Sequence, residues 1–290
     1  MPTMPHSPLA IDQDEVAYEY GPDSAPRPGV QPGRIIELAL DDSAAYPGTT
    51  RRIWIHAPAG HDSKAEAAVT LFNDGWWYLD PDGDVRGGIV LDNLAAARSV
   101  PPMVSIFVDP GMLRTPGGLT KNRNAEYDAS DSRYADFLVE EVLPLVRQHF
   151  RISSNPAARA ICGGSSGGNG AFTAAWQRPD AITKVIAFNA SFAQMPGGNP
   201  YPRLLASGAV RPLRVLLHAA HRDLGWNQSD RNWFAENLET GAALARAGQD
   251  VRLVVGDGGH SPNHGGVLLP DALRWAWRAD EPADSPVQPT

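Results

Sequence analysis

Two rhythms alternate along the chain. In Arg34–Leu40 and Arg51–Ala57, apolar and polar residues take turns, with Tyr46-Pro47-Gly48 between the two segments. Period two with an intervening turn predicts an antiparallel hairpin. After that the apolar residues come in unbroken runs: Ala67–Phe72, Met103–Val108, Ala158–Cys162, Lys184–Phe188, Leu213–Leu217 and Val251–Val255. Such runs suit strands buried on both faces of a parallel sheet. Helical spacing fills the intervals. Ser132–Phe150 carries Phe137, Leu138, Val142, Leu145 and Val146 three and four residues apart, with Asp131 or Ser132 as cap, and Pro144 predicts a kink. Gly168–Gln177 ends before Pro179, Asp230–Ala247 runs from a Ser229 or Asp230 cap to Gly248, and Gly266–Arg278 closes the pattern. Strand and helix in alternation predict an α/β fold: a mostly parallel central sheet, an antiparallel N-terminal edge and helices on both faces. Residues 1–32 read as an extended lead-in that wraps the domain, 33–280 as one folded domain, and 281–290 as a disordered tail.

Composition narrows the function classes. At 290 residues, 42% apolar and 20% charged, the chain can bury a core without a disulfide or a metal. The net charge of −8 argues against a nucleic-acid partner. No apolar run approaches the roughly 20 residues that span a bilayer, so no membrane partner is expected. Cys162 is the sole cysteine, which excludes an internal disulfide and zinc-finger spacing. Met1–Ala10 lacks a basic region followed by an apolar stretch, so no signal peptide is read and a cytoplasmic location is expected. A homodimer is left open. The 28 glycines and 26 prolines, close to a fifth of the chain, imply many turns and long shaped loops.

One such turn carries candidate chemistry. Ile161-Cys162-Gly163-Gly164-Ser165-Ser166-Gly167-Gly168 follows a predicted strand and opens a predicted helix, the setting of a nucleophile elbow. Two frames fit G-x-S-x-G. With Ser165 as nucleophile the neighbouring small positions are Gly163, Gly167 and Gly168; with Ser166 the last becomes Asn169, which is too large. Ser165 is therefore the expected nucleophile, and the amide of Ser166 would face the oxyanion at the helix start. A serine needs a base, and the base needs an orienting carboxylate. His260, in Gly256-Asp257-Gly258-Gly259-His260, lies just past the last predicted strand and is the expected base. Asp223, in the loop after Leu213–Leu217, is the expected acid, with Asp257 as the alternative. The second oxyanion amide is expected from Trp76, in Asn73-Asp74-Gly75-Trp76-Trp77.

These segments resemble the α/β-hydrolase esterases of the enterochelin-esterase and esterase D type. Matching pieces run from Tyr18 to Arg278; the elbow ICGGSSGGNGAF and the segment GDGGHSPNHGG are the specific ones. The resemblance implies an α/β-hydrolase catalytic domain over 33–280 with a Ser165–Asp223–His260 triad and oxyanion amides at Trp76 and Ser166. It implies serine ester hydrolysis through an acyl-enzyme, on a small-molecule or carbohydrate-linked ester. A siderophore lactone, an acyltransferase reaction and a non-catalytic binding module are the alternatives. Many relatives carry a bulky residue after the serine; Ser166 makes that position small and polar.

No cofactor or metal is expected. Asp80-Pro81-Asp82-Gly83-Asp84 lacks the glycine and glutamate of a calcium loop at positions six and twelve, which are Val85 and Leu91. Candidates for lining a substrate pocket are Asp74, Gly75, Trp77, Arg123, Glu126, Phe192 and Trp226. Arg123 and Glu126 have two readings: a salt-bridged loop anchor, or a hold on an acidic substrate group.

Overall fold

The structure, a computed structural model, describes residues 14–279. Ten strands form one sheet: β1 (Arg34–Leu40), β2 (Thr49–Ala57), β3 (Ala68–Asn73), β4 (Met103–Val108), β5 (Met112–Thr115), β6 (Gly118–Lys121), β7 (Arg159–Gly164), β8 (Lys184–Phe188), β9 (Arg214–Ala220) and β10 (Asp250–Gly256). Their order is β10-β9-β8-β7-β3-β4-β2-β5-β6, with β1 paired to β2. The six strands from β10 to β4 are mutually parallel. β1, β2, β5 and β6 are joined by antiparallel pairing. The helices are α1 (Gly75–Leu79), α2 (Gly87–Ala96), α3 (Arg123–Tyr127), α4 (Arg133–Phe137), α5 (Leu143–Arg147), α6 (Ser166–Gln177), α7 (Tyr201–Ala206), α8 (Trp233–Arg246) and α9 (Pro262–Ala276).

The unbroken apolar runs serve two cores, because successive strand residues face opposite ways. Val69, Leu71, Val185, Ala187, Val215 and Leu217 join one cluster with Phe137, Phe172 and Leu244. Phe72, Ile186, Phe188 and Leu216 join the other, with Leu91, Leu269 and Leu273. Each fully buried aliphatic side chain contributes on the order of 2 kcal/mol. β10 departs from the expectation of burial on both faces: as the last strand in the order it leaves Leu253 and Val255 exposed.

Other departures have local causes. The long helix expected over Ser132–Phe150 is α4, a π-helical turn at Leu138–Val142, and α5. Pro144 has no N–H to give and its ring presses on the carbonyl four residues back, so the ladder widens there. The cap of α8 is Asn232, whose side chain accepts from the Ala235 amide, not Ser229 or Asp230. The hairpin β5–β6 has no sequence signature, because its residues are largely exposed and follow neither period.

The described part of the lead-in runs under the last loop of the domain. Asp14 O accepts from Gly259 N at 2.6 Å, Tyr18 Oη accepts from Asp257 N at 2.7 Å, and Tyr18 N donates to Asn263 at 2.7 Å. The expected tail and the segment Met1–Ala10 lie outside the described residues. Among the described residues no helix is long and apolar enough to cross a membrane.

Candidate active site

The turn between β7 and α6 holds Ser165 at φ 59°, ψ −130°. A non-glycine residue there carries strain of about 1–3 kcal/mol and persists only where its surroundings fix it. They do so here. Ser165 N donates to Phe188 O at 2.8 Å, and Ser165 O accepts from Ser191 N at 3.2 Å. Glycine at 163 is required, since a Cβ there would stand 2.2 Å from Gly167 O. The neighbouring Ser166 is buried, and its hydroxyl donates to Asp128 at 3.0 Å. As the first amide of α6, Ser166 N–H has no partner within the helix.

His260 follows β10 and lines the same pocket as Ser165. Its Nδ1 lies 2.6 Å from Asp223 Oδ1, which also accepts from Leu224 N at 2.7 Å. Asp223 is fully buried, and its Oδ2 finds no donor among the described residues. Trp233 meets the His260 ring edge to face at 5.0 Å. No local pattern marks that contact, since Trp233 reads as an ordinary helix residue. Asp257, the alternative acid, lies instead 3.9 Å from His221.

Beneath this loop sit two buried histidines, His218 and His264, with ring centroids 5.4 Å apart. Burial, with His264 and His260 nearby, pushes the His218 pKa down to about 3. The unfolded chain takes up that proton near pH 6.5 and the folded chain does not. Folding stability attributable to His218 is therefore complete above pH 6.5 and is lost as pH falls toward 3, by roughly 1.4 kcal/mol per pH unit. Urea titrations at pH 7 and pH 4.5 should show a smaller loss in His218→Gln than in the wild type. An equal loss in both would contradict this.

The other candidates divide. Trp76 N–H is not free for an oxyanion: it donates to Asp109 Oδ1 at 2.9 Å, an exposed first-turn amide of α1 capped by the carboxylate that follows β4. Arg123 is fork-paired with Asp74, at 2.6 and 2.7 Å, and reaches Gly164 O at 3.2 Å, tying the loop after β3 to the serine turn. Glu126 is no pocket residue. It is buried against Arg51 at 2.8 Å and also accepts from Asn122 and Gly111. Losing one partner of such a pair costs about 3–5 kcal/mol. Phe192 is likewise core, edge-on to Phe172 at 5.5 Å. Trp226 stands under the Arg222 guanidinium at 4.4 Å and lines neither of the two cavities that Trp77 borders. Gly75 packs its backbone against Phe107 and Val108.

Two cavities meet at Trp77. One, of about 40 Å³, is lined by Ser165, His260, Tyr78, Val85 and Phe188. The other, a groove of about 600 Å³, is lined by Asp74, Trp76, Asp109, Lys121 and Arg123 among others. Trp76 and Trp77 are 46% and 41% exposed there. Cys162 is buried, and its thiol is pushed well above its usual range by desolvation. That leaves it inert as a nucleophile. Among the described residues no three His, Cys, Asp or Glu side chains are placed to hold a metal. Asp128, which no local motif marks, receives hydrogen bonds from three separate segments around the serine.

A family model described as "Putative esterase" matches residues 44–279. Among solved structures, the enterobactin esterase of Shigella flexneri superposes with a TM-score of 0.71 at 21% identity, covering 89% of this chain and 61% of that one. The ferric enterobactin esterase of Salmonella typhimurium gives 0.69 at 20%, covering 94% and 62%. A ferulic acid esterase of Anaeromyces mucronatus gives 0.68 at 18%, covering 88% and 94%. The chain thus spans about three fifths of the length of the enterobactin esterases it matches, and at these identities the likeness shows the α/β-hydrolase-type fold.

Proposed function

Because the chain belongs to the family described as "Putative esterase", we propose that it hydrolyses carboxylic esters with Ser165, His260 and Asp223. The observation that carries this reading is one strained serine opening α6 in a pocket shared with a histidine that is itself 2.6 Å from a buried aspartate. Asp223 holds Nδ1, which leaves Nε2 of His260 to take the Ser165 proton. Ser165 Oγ adds to the ester carbonyl, and the Ser166 amide donates to the oxyanion. The proton then passes from His260 to the departing alcohol oxygen, leaving an acyl-enzyme. Water, deprotonated by His260, adds to that acyl group and releases the acid and the free serine. Asp223 stays ionised and stabilises the imidazolium.

A neutral small-molecule or carbohydrate-linked ester suits the groove better than an anionic siderophore lactone. Arg51, Arg52 and Arg123 are each paired with a carboxylate, and two tryptophan faces stand open. The test is a p-nitrophenyl ester series from acetate to octanoate, with and without prior treatment by a fluorophosphonate. Turnover that the fluorophosphonate abolishes is expected. Inertness toward every chain length, with no labelling, would leave a binding module on a hydrolase scaffold.

A further inference from the structure

Asp128 ends α3 and is buried beside the serine turn. Its carboxylate receives neutral donors from three segments. Ser191 Oγ, on the exit of β8, donates to Oδ1 at 2.6 Å. Ser166 Oγ donates to Oδ2 at 3.0 Å, and Asn169 Nδ2 reaches Oδ1 at 3.4 Å; both belong to the first turn of α6. Asn124 Nδ2 donates to Oδ2 at 2.8 Å and also reaches Ser166 Oγ at 3.2 Å. Ser191 in turn gives its amide to Ser165 O. A buried carboxylate that loses donors pays heavily in desolvation, so these segments are locked to one another. The lock spans the Ser165–Ser166 peptide from both sides.

We propose that Asp128 is a positioning residue for ester hydrolysis: it fixes the peptide that aims the Ser166 amide at the developing oxyanion. This rests on Ser165 being the nucleophile. Asp128 touches no reacting atom; it acts through Ser166 and Ser191. Its negative charge by itself would oppose an oxyanion nearby, so the field and the positioning role have opposite signs. Asp128→Asn removes the charge but offers one acceptor oxygen and an amide group to a ring of donors, and the lock loosens.

The test is kcat and KM for p-nitrophenyl acetate in the wild type, Asp128→Asn and Ser191→Ala. Each rate is normalised to sites titrated by a fluorophosphonate, so unfolded protein does not count. For Asp128→Asn we expect kcat per titrated site to fall about 10–100-fold with KM nearly unchanged. Affinity for a trifluoromethyl ketone, which forms the tetrahedral adduct, should fall by the same factor. Ser191→Ala keeps the carboxylate and removes one donor; its kcat should fall about 3–10-fold, which keeps the proposal testable if Asp128→Asn does not fold. Unchanged or increased kcat per titrated site, or a loss carried by KM, would overturn the positioning role. If the wild type titrates no site at all, the esterase reading fails instead.

Discussion

Ser165→Ala lowers kcat by about 10⁴–10⁶-fold, whereas Ser166→Ala retains turnover within about ten-fold. The two serines are adjacent in sequence and opposite in setting. Ser165 occupies the strained backbone position and lines the pocket with His260. Ser166 turns its hydroxyl inward to Asp128 and Asn124. Removing the first hydroxyl removes the atom proposed to form the acyl bond. Removing the second loosens a support while leaving the Ser166 amide in place. Steady-state kinetics on p-nitrophenyl acetate separate the two, with circular dichroism to show that both variants fold. If Ser166→Ala is the dead variant, the nucleophile is one residue further on.

Asp223→Asn should lower kcat by about 10⁴-fold. Asp223 Oδ1 holds His260 Nδ1, and Leu224 N–H already donates to the same oxygen. An asparagine keeps the shape. With its NH₂ in the place of Oδ1 it faces both Leu224 N–H and Nδ1 and favours the tautomer with the proton on Nε2, which cannot accept from Ser165; with its oxygen there, Nδ1 keeps its proton and only the loss of charge acts. Either orientation withdraws the negative charge that the imidazolium needs in the transition state. Asp257→Asn is the matched comparison and should stay within a few-fold of wild type, since Asp257 lies by His221 rather than His260. A large loss in Asp257→Asn with a small one in Asp223→Asn would reverse the assignment of the acid.

The fold was legible wherever burial imposed a period. The continuous runs at Met103–Val108 and Lys184–Phe188 match β4 and β8 residue for residue, and Arg34–Leu40 matches β1. Where solvent relaxes the pattern, the sequence says less. The β5–β6 hairpin left no trace, and Val251–Val255 looked interior although β10 is an edge. Pro144 announced a break in its helix but not a π-helical turn. At the site, Ser165, Asp223 and His260 stood out because each follows a strand, and the parallel sheet carries all three loops to one edge. Contacts made by tertiary convergence could not be read this way. Nothing in Asp109 foretells its hold on the Trp76 amide, and nothing in Glu126 foretells Arg51, 75 residues earlier. The four donors around Asp128 come from segments up to 67 residues apart in the chain, between Asn124 and Ser191, so no local motif marks it.

The most direct measurement is to treat the protein with a fluorophosphonate and locate the adduct by fragmenting the peptide that carries Gly163–Gly168. A single phosphonyl group on Ser165, absent after His260→Ala on the same time scale, is the expected result. A group on Ser166, on another residue, or on none would contradict Ser165 as the nucleophile.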